Sequence, residues 1–182
     1  QAFEGAKRIK AMSPGVPIVM LTPFSREVSQ YLVNADTSAI DYVFSWLGNT
    51  DLLLAIVKLI EDKMNVEEDV KSVGVQVIML VEDSIRFYSS ILPDLYKYVL
   101  EQSRNFATEA LNAHHRTLRM RGRPKILLAR SYEEATAIYK KYQDNMLGVI
   151  SDVSFTRNGE KDSLAGQKLS EFLHQQDPVL PI

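Results

Sequence analysis

Glu82, Asp83 and Asp152 are the residues of this chain whose type and position could do chemistry. Glu82–Asp83 closes the apolar run VQVIMLVED, and Asp152 closes LGVISD. In an open parallel α/β sheet, ligands gather at the carboxyl ends of the strands. Acids that end two neighbouring strands therefore converge on one pocket. Unpaired carboxylates repel one another, so a cation must compensate. A hard divalent ion with oxygen ligands fits, Mg²⁺ being the usual choice when water and phosphate complete the shell. A carboxylate beside such an ion can be a nucleophile that accepts a phosphoryl group, with the metal neutralising charge on the transferring oxygens. The plainer reading is that each acid is a loop residue or a helix cap just after a strand. Glu82–Asp83–Ser84 in particular could cap a long helix.

Short runs, apolar on both sides and rich in β-branched residues, predict strands at Ile18–Leu21, Tyr42–Phe44, Val77–Val81, Ile126–Ala129 and Leu147–Ser151. Strands of a parallel sheet covered on both faces read this way. Helices are expected between them. Asp51–Met64 carries apolar residues at 52, 53, 56, 57, 59, 60 and 64, with Thr50 as a cap. Ser131–Gln143 opens with a capping box, Ser131 with Glu134. Leu164–His174 is amphipathic after Asp162 or Ser163. A longer helical stretch runs from Ser84 to about Met120, with Pro93 as a kink or a new start and Gly122 and Pro124 as its end. The charged stretch Asn65–Lys71 is a linker or a solvated helix extension. This alternation predicts an α/β doubly wound sheet. The segment SPGVPI at 13–18 recurs as DPVLPI at 177–182, each after an amphipathic helix. If the match is a repeat, the chain begins late in one copy of a domain and stops inside the next.

Composition removes whole classes of function. There is no cysteine, so disulfide scaffolds and thiolate chemistry are excluded. The net charge of −2 creates no field that recruits nucleic acid or anionic membrane. No apolar run approaches the ~20 residues that span a bilayer, and no signal peptide opens the chain. A cytoplasmic protein is the expectation, with no membrane and no nucleic acid as partners.

VIMLVEDS, GVISDVSF, PIVMLTPFS and IDYVFSW together resemble the response-regulator receiver domain of two-component signalling. The resemblance implies a flavodoxin-like five-stranded parallel sheet of order 2-1-3-4-5. It implies that Glu82 and Asp83 are the acid pair, with Asp83 the direct Mg²⁺ ligand, and that Asp152 is the phosphoacceptor. The backbone carbonyl of Ser154 would join the metal. Thr22 would be the phosphoryl-contacting hydroxyl and Tyr42 the aromatic switch. The family's lysine position falls at Ser45, and the second copy's own hydroxyl and lysine are not among these residues. Residues 1–64 resemble the closing half of one receiver and 75–182 the opening half of a second, with an extended first helical region and 65–74 as linker. The phrasing of EDSIRFYSSILPDLYKYVLEQS and NAHHRTLRMRGRPKILLA is also similar to tandem receivers of large bacterial proteins. Those continue into a PEP/pyruvate-binding, pyruvate phosphate dikinase-like module.

The expected role is therefore that of a signalling receiver, not an enzyme, taking a phosphoryl group on Asp152 from a histidine kinase or phosphotransfer protein. The first rival is a pseudo-receiver that mediates protein interaction or dimerisation without phosphoryl transfer. A Mg²⁺-dependent hydrolase is the second, but it needs a general acid that Ser154 does not offer. The two halves are complementary, so the N-terminal piece could complete the sheet as a circular permutation, or by exchange in a homodimer, bringing Thr22 near Asp152. Among other candidates, His114–His115 point ~100° apart on a helix and read as a solvated face. Arg116, Arg119, Arg121, Arg123 and Lys125 read as a solvated or partner-facing patch. The aromatic stripe of 87–106 reads as core or as a dimer seam, and Trp46 as packing.

Overall fold

The computed structural model describes residues 2–23, 36–108 and 122–182. Its elements in chain order are α1 (Ala2–Met12), β1 (Val19–Pro23), β2 (Tyr42–Trp46), α2 (Asp51–Val73) and β3 (Val77–Val81). They continue with α3 (Ile85–Thr108), β4 (Lys125–Ala129), α4 (Tyr132–Tyr142), β5 (Met146–Ser151), β6 (Phe155–Arg157), β7 (Glu160–Asp162) and α5 (Ala165–Gln176). The fold is α/β with parallel sheets. No helix among the described residues is long and apolar enough to cross a membrane.

The central sheet has three parallel strands in the order β4-β3-β5. Successive side chains of a strand face opposite ways, and both faces here are covered. Leu80, Ile126 and Leu128 pack under α2 and α3. Met79, Val81, Ala129 and Val149 pack on α4 and α5, through Ala135, Tyr139, Leu169 and Leu173. This double burial explains why β3 and β4 read as unbroken apolar runs.

β1 and β2 form a separate parallel pair. Among the described residues the central sheet has three strands, and β1 does not lie beside β5. Instead β2 docks on α3. Phe44 stacks edge-on against Tyr88 with centroids 5.4 Å apart, the Tyr88 hydroxyl donates to the Val43 carbonyl, and the Ser45 amide donates to Ser89 Oγ at 2.9 Å. The edge of β5 is met by the C-terminal segment. The Val149 amide donates to the Pro181 carbonyl at 2.9 Å, and Leu180 is buried.

Helix α2 runs nine residues past Met64, so Asn65–Lys71 is helical, as the extension reading expects. It stops at Gly74, whose φ of 69° permits the left-handed cap that donates back to Val70. Its buried positions are Leu52, Ala55, Ile56, Leu59, Asp62 and Val66, one stripe at helical spacing. Asp62 is the polar member, and it is fully buried. It takes the Arg123 guanidinium on both oxygens at 2.6 and 3.1 Å, the Tyr96 hydroxyl at 2.9 Å and the Ile126 amide at 3.0 Å. That last bond matters for the sheet. The Lys125 amide pairs inward with Gln76 at 2.8 Å, so the next amide points off the free edge of β4, where Asp62 satisfies it. Lys125 ion-pairs with Asp69 at 2.7 Å. Arg123 and Lys125 are therefore buried partners of α2, not the solvated or partner-facing patch expected of them. His114, His115, Arg116, Arg119 and Arg121 lie outside the described residues.

Candidate functional site

The two acid-bearing strand ends stand side by side. The Glu82 amide donates to the Ala129 carbonyl at 3.0 Å, and the Asp152 amide donates to the Val81 carbonyl at 2.9 Å. Both acids are thus fixed by the sheet ladder at its carboxyl end, where such folds bind ligands. Glu82 is 5% exposed. Burial raises the pKa of its carboxyl above the ordinary value, and the nearby charges of Asp152 and Asp83 push it the same way. The Ser84 amide, donating to Oε1 at 2.9 Å, and the Lys161 charge pull against this. The Glu82 carboxylate thus binds the amide of the residue just before α3 and stands near the charges of Asp83 and Asp152.

Asp83 is engaged by a short hairpin. Thr156 Oγ1 donates to Oδ2 at 2.9 Å, and Lys161 Nζ sits 2.7 Å from Oδ1. The hairpin β6–β7 turns at Asn158–Gly159, with φ of 53° and 80°, the positive pair that Asn-Gly adopts most readily. Asp152 is half-buried, and its Oδ1 accepts from the adjacent Val153 amide at 2.7 Å. Ser154 lies in the bend that leads into β6.

Gly166 holds the backbone behind Asp152. A Cβ on Gly166 would stand 2.4 Å from the Asp152 carbonyl oxygen and 2.8 Å from Val153 Cα, both main-chain atoms. The Gly166 amide donates to the Val153 carbonyl at 2.9 Å. The first turn of α5 can press this closely on the backbone of residues 152–153 only because residue 166 has no side chain.

The N-terminal candidates are elsewhere. Thr22 lies on β1 opposite Ser45, its hydroxyl donating to the Pro23 carbonyl. Tyr42 is buried, with Lys63 Nζ and the Arg130 guanidinium 4.9 and 5.3 Å from its ring centre. Ser45 is 2% exposed, and its hydroxyl oxygen is the buried side-chain polar atom without a hydrogen-bond partner among the described residues. These three belong to the β1–β2 pair and its helix contacts. Trp46, on the same strand, is partly exposed. Along the long helix, Tyr88 and Tyr96 are core while Phe87 and Tyr98 are exposed.

Sequence reasoning missed Thr156, Lys161 and Gly166. For the first two a signal existed, the Asn158–Gly159 dipeptide between short polar strands. Among the described residues, no three His, Cys, Asp or Glu side chains are gathered to hold a metal ion by themselves. The donor chemistry nevertheless fits Mg²⁺, which takes one or two carboxylates and keeps several waters. Burial, and after it the charges of Asp152 and Asp83, raise the Glu82 carboxyl. No family model, no curated protein and no solved structure matches the chain.

Proposed function

We propose that the chain is receiver-type signalling structure that accepts a phosphoryl group on Asp152. One observation carries this: Asp152 and Glu82 are pinned to neighbouring strand ends, with Asp83 beside them. In this reading Asp83, Glu82 and the Ser154 carbonyl hold Mg²⁺, which when bound offsets charge on the phosphoryl oxygens. An Asp152 carboxylate oxygen attacks phosphorus of a phosphohistidine. The P–O bond forms, the P–N bond breaks, and the electron pair returns to the imidazole, which takes a proton. The donor is a cytoplasmic histidine kinase or phosphotransfer protein. The flavodoxin-like order 2-1-3-4-5 belongs to the same proposal. β4, β3 and β5 take the first three places, and the segment that meets β5 at Pro181 begins the fourth.

The test uses the whole chain with Mg²⁺ and acetyl phosphate, weighed intact. The expected result is a gain of one phosphoryl mass that Asp152→Asn abolishes. No gain, or a gain that survives Asp152→Asn, refutes the proposal.

A second reading has its own support. The Lys161 ammonium already sits on Asp83, and Ser45 stands where the resemblance expects lysine. Both favour a pseudo-receiver that presents a surface to a protein partner or to a second copy. Under it, the phosphodonor adds nothing to the mass at any Mg²⁺ concentration.

A further inference from the structure

Thr156 and Lys161 are directly opposite each other across the β6–β7 hairpin. Cross-strand partners project from the same face, and both of these reach Asp83, one on each carboxylate oxygen. The hairpin is itself held from two sides. Glu133 of α4 accepts from the Asn158 amide at 3.0 Å, and Lys168 of α5 pairs with Asp162 at 2.7 Å. The ammonium is therefore presented to the acids by an anchored element. The Asp83 side chain is 15% exposed and that of Lys161 56%, so the pair is formed on the solvent side of the acids, where a cation from solvent would approach.

We propose that Lys161 is the resident counter-ion of these acids, and that a divalent cation must displace its ammonium from Asp83 to bind. The inference rests on the proposed Mg²⁺ role of Asp83. A carboxylate oxygen that accepts an ammonium at hydrogen-bond distance cannot also give that lone pair to a metal, so each ligand weakens the other. Lys161 lowers metal affinity and keeps the acids compensated in its absence.

The experiment is a Mn²⁺ titration of the full chain, with bound ion read from the electron paramagnetic resonance signal of free Mn²⁺. Lys161→Gln removes the competing charge and keeps most of the side chain's length. It should tighten Mn²⁺ binding roughly threefold to tenfold. Lys140→Gln, on an exposed position of α4, removes the same charge elsewhere and should leave affinity unchanged. Equal affinity in the wild type and Lys161→Gln overturns the inference while leaving the metal reading standing. Equal tightening by both variants reduces it to net charge and also overturns it. Absence of Mn²⁺ binding in every variant overturns the inference and the metal reading together.

Discussion

Replacing Asp62 by Ala tests how the chain is bolted together. The carboxylate lies on α2, in the half that resembles a closing receiver, and its partners lie on α3 and β4 in the other half. Its removal leaves the Arg123 guanidinium, whose side chain is 3% exposed, with Glu61 at 3.8 Å as its remaining carboxylate and the Pro124 carbonyl at 3.2 Å. It also leaves the Tyr96 hydroxyl and the outward Ile126 amide without their acceptor. Breaking one side of a buried pair typically costs about 3–5 kcal/mol. Glu61 can partly re-engage Arg123, so the lower end, about 3 kcal/mol, is expected. With a urea slope of about 2 kcal/mol per molar, the midpoint falls by about 1.5 M. The transition is followed by Trp46 fluorescence and by far-UV circular dichroism. Trp46 is the single tryptophan and reports on the β1–β2 pair. Both probes should shift together, because α2 carries the tie between the halves. Asp62→Leu with Arg123→Met should recover most of the loss, since an apolar replacement of both partners leaves no buried charge behind. A loss below about 1 kcal/mol, or a shift in one probe only, refutes this account of the fold.

Two more substitutions probe the site's surroundings. Gly166→Ala forces a Cβ against main-chain atoms of Asp152 and Val153. It should cost about 1–3 kcal/mol in urea unfolding and reduce the initial rate of Asp152 phosphorylation, whereas Gly5→Ala, with open space around it, should do neither. Glu82→Gln should raise the thermal midpoint at pH 8 and leave it nearly unchanged at pH 4. The folded carboxyl titrates above its unfolded value, so the native state holds its proton longer. Ionised Glu82 destabilises the fold only as pH rises through that window, and Gln removes the charge. The lowered carboxyls of Asp41, Glu61 and Asp162 weaken both proteins alike in acid and cancel in the difference. An equal gain at both pH values would contradict the assignment.

The elements were legible in the sequence wherever one local rule decided them. β3 and β4 follow from apolar runs buried on two faces, and the start of α4 follows from its capping box. There the Glu134 amide donates to Ser131 Oγ at 3.1 Å, and the Glu134 carboxylate reaches back to the Arg130 amide at 2.8 Å. That β3 and β5 end in acids side by side followed from strand ends alone. What could not be read locally was the partner of each charge. Asp62 falls on the apolar stripe of α2, at the spacing of Leu52, Ala55, Leu59 and Val66. That placement was the available sign that it is buried, and with it the cation it must meet. Arg123 and Lys125 look solvated in a basic stretch until the edge of β4 needs an acceptor. By contrast Leu53, Val57 and Met64, counted as apolar positions of the same helix, are exposed, because the stripe that packs is rotated away from them.

The docking of the N-terminal half turns on which backbone groups were still available. The Val149 amide on the outer edge of β5 is already met by Pro181, so a β1 seated there would have to displace the C-terminal segment. A two-stranded sheet is marginal alone and must cover one face. The face of β2 that carries Tyr42 and Phe44 finds Tyr88, Leu92 and Leu59 between α2 and α3. The two Pro-x-x-Pro-Ile segments accordingly lead to different places. Ile18 introduces β1, whereas Pro181 lies on β5. The consequence for the site is chemical. The resemblance assigns a hydroxyl and an ammonium to the fourth and fifth strands. In this fold a hydroxyl and an ammonium do reach the acids, but from Thr156 and Lys161 of the hairpin, and they close on Asp83, not Asp152. Both side chains are mounted on the hairpin that directly follows β5.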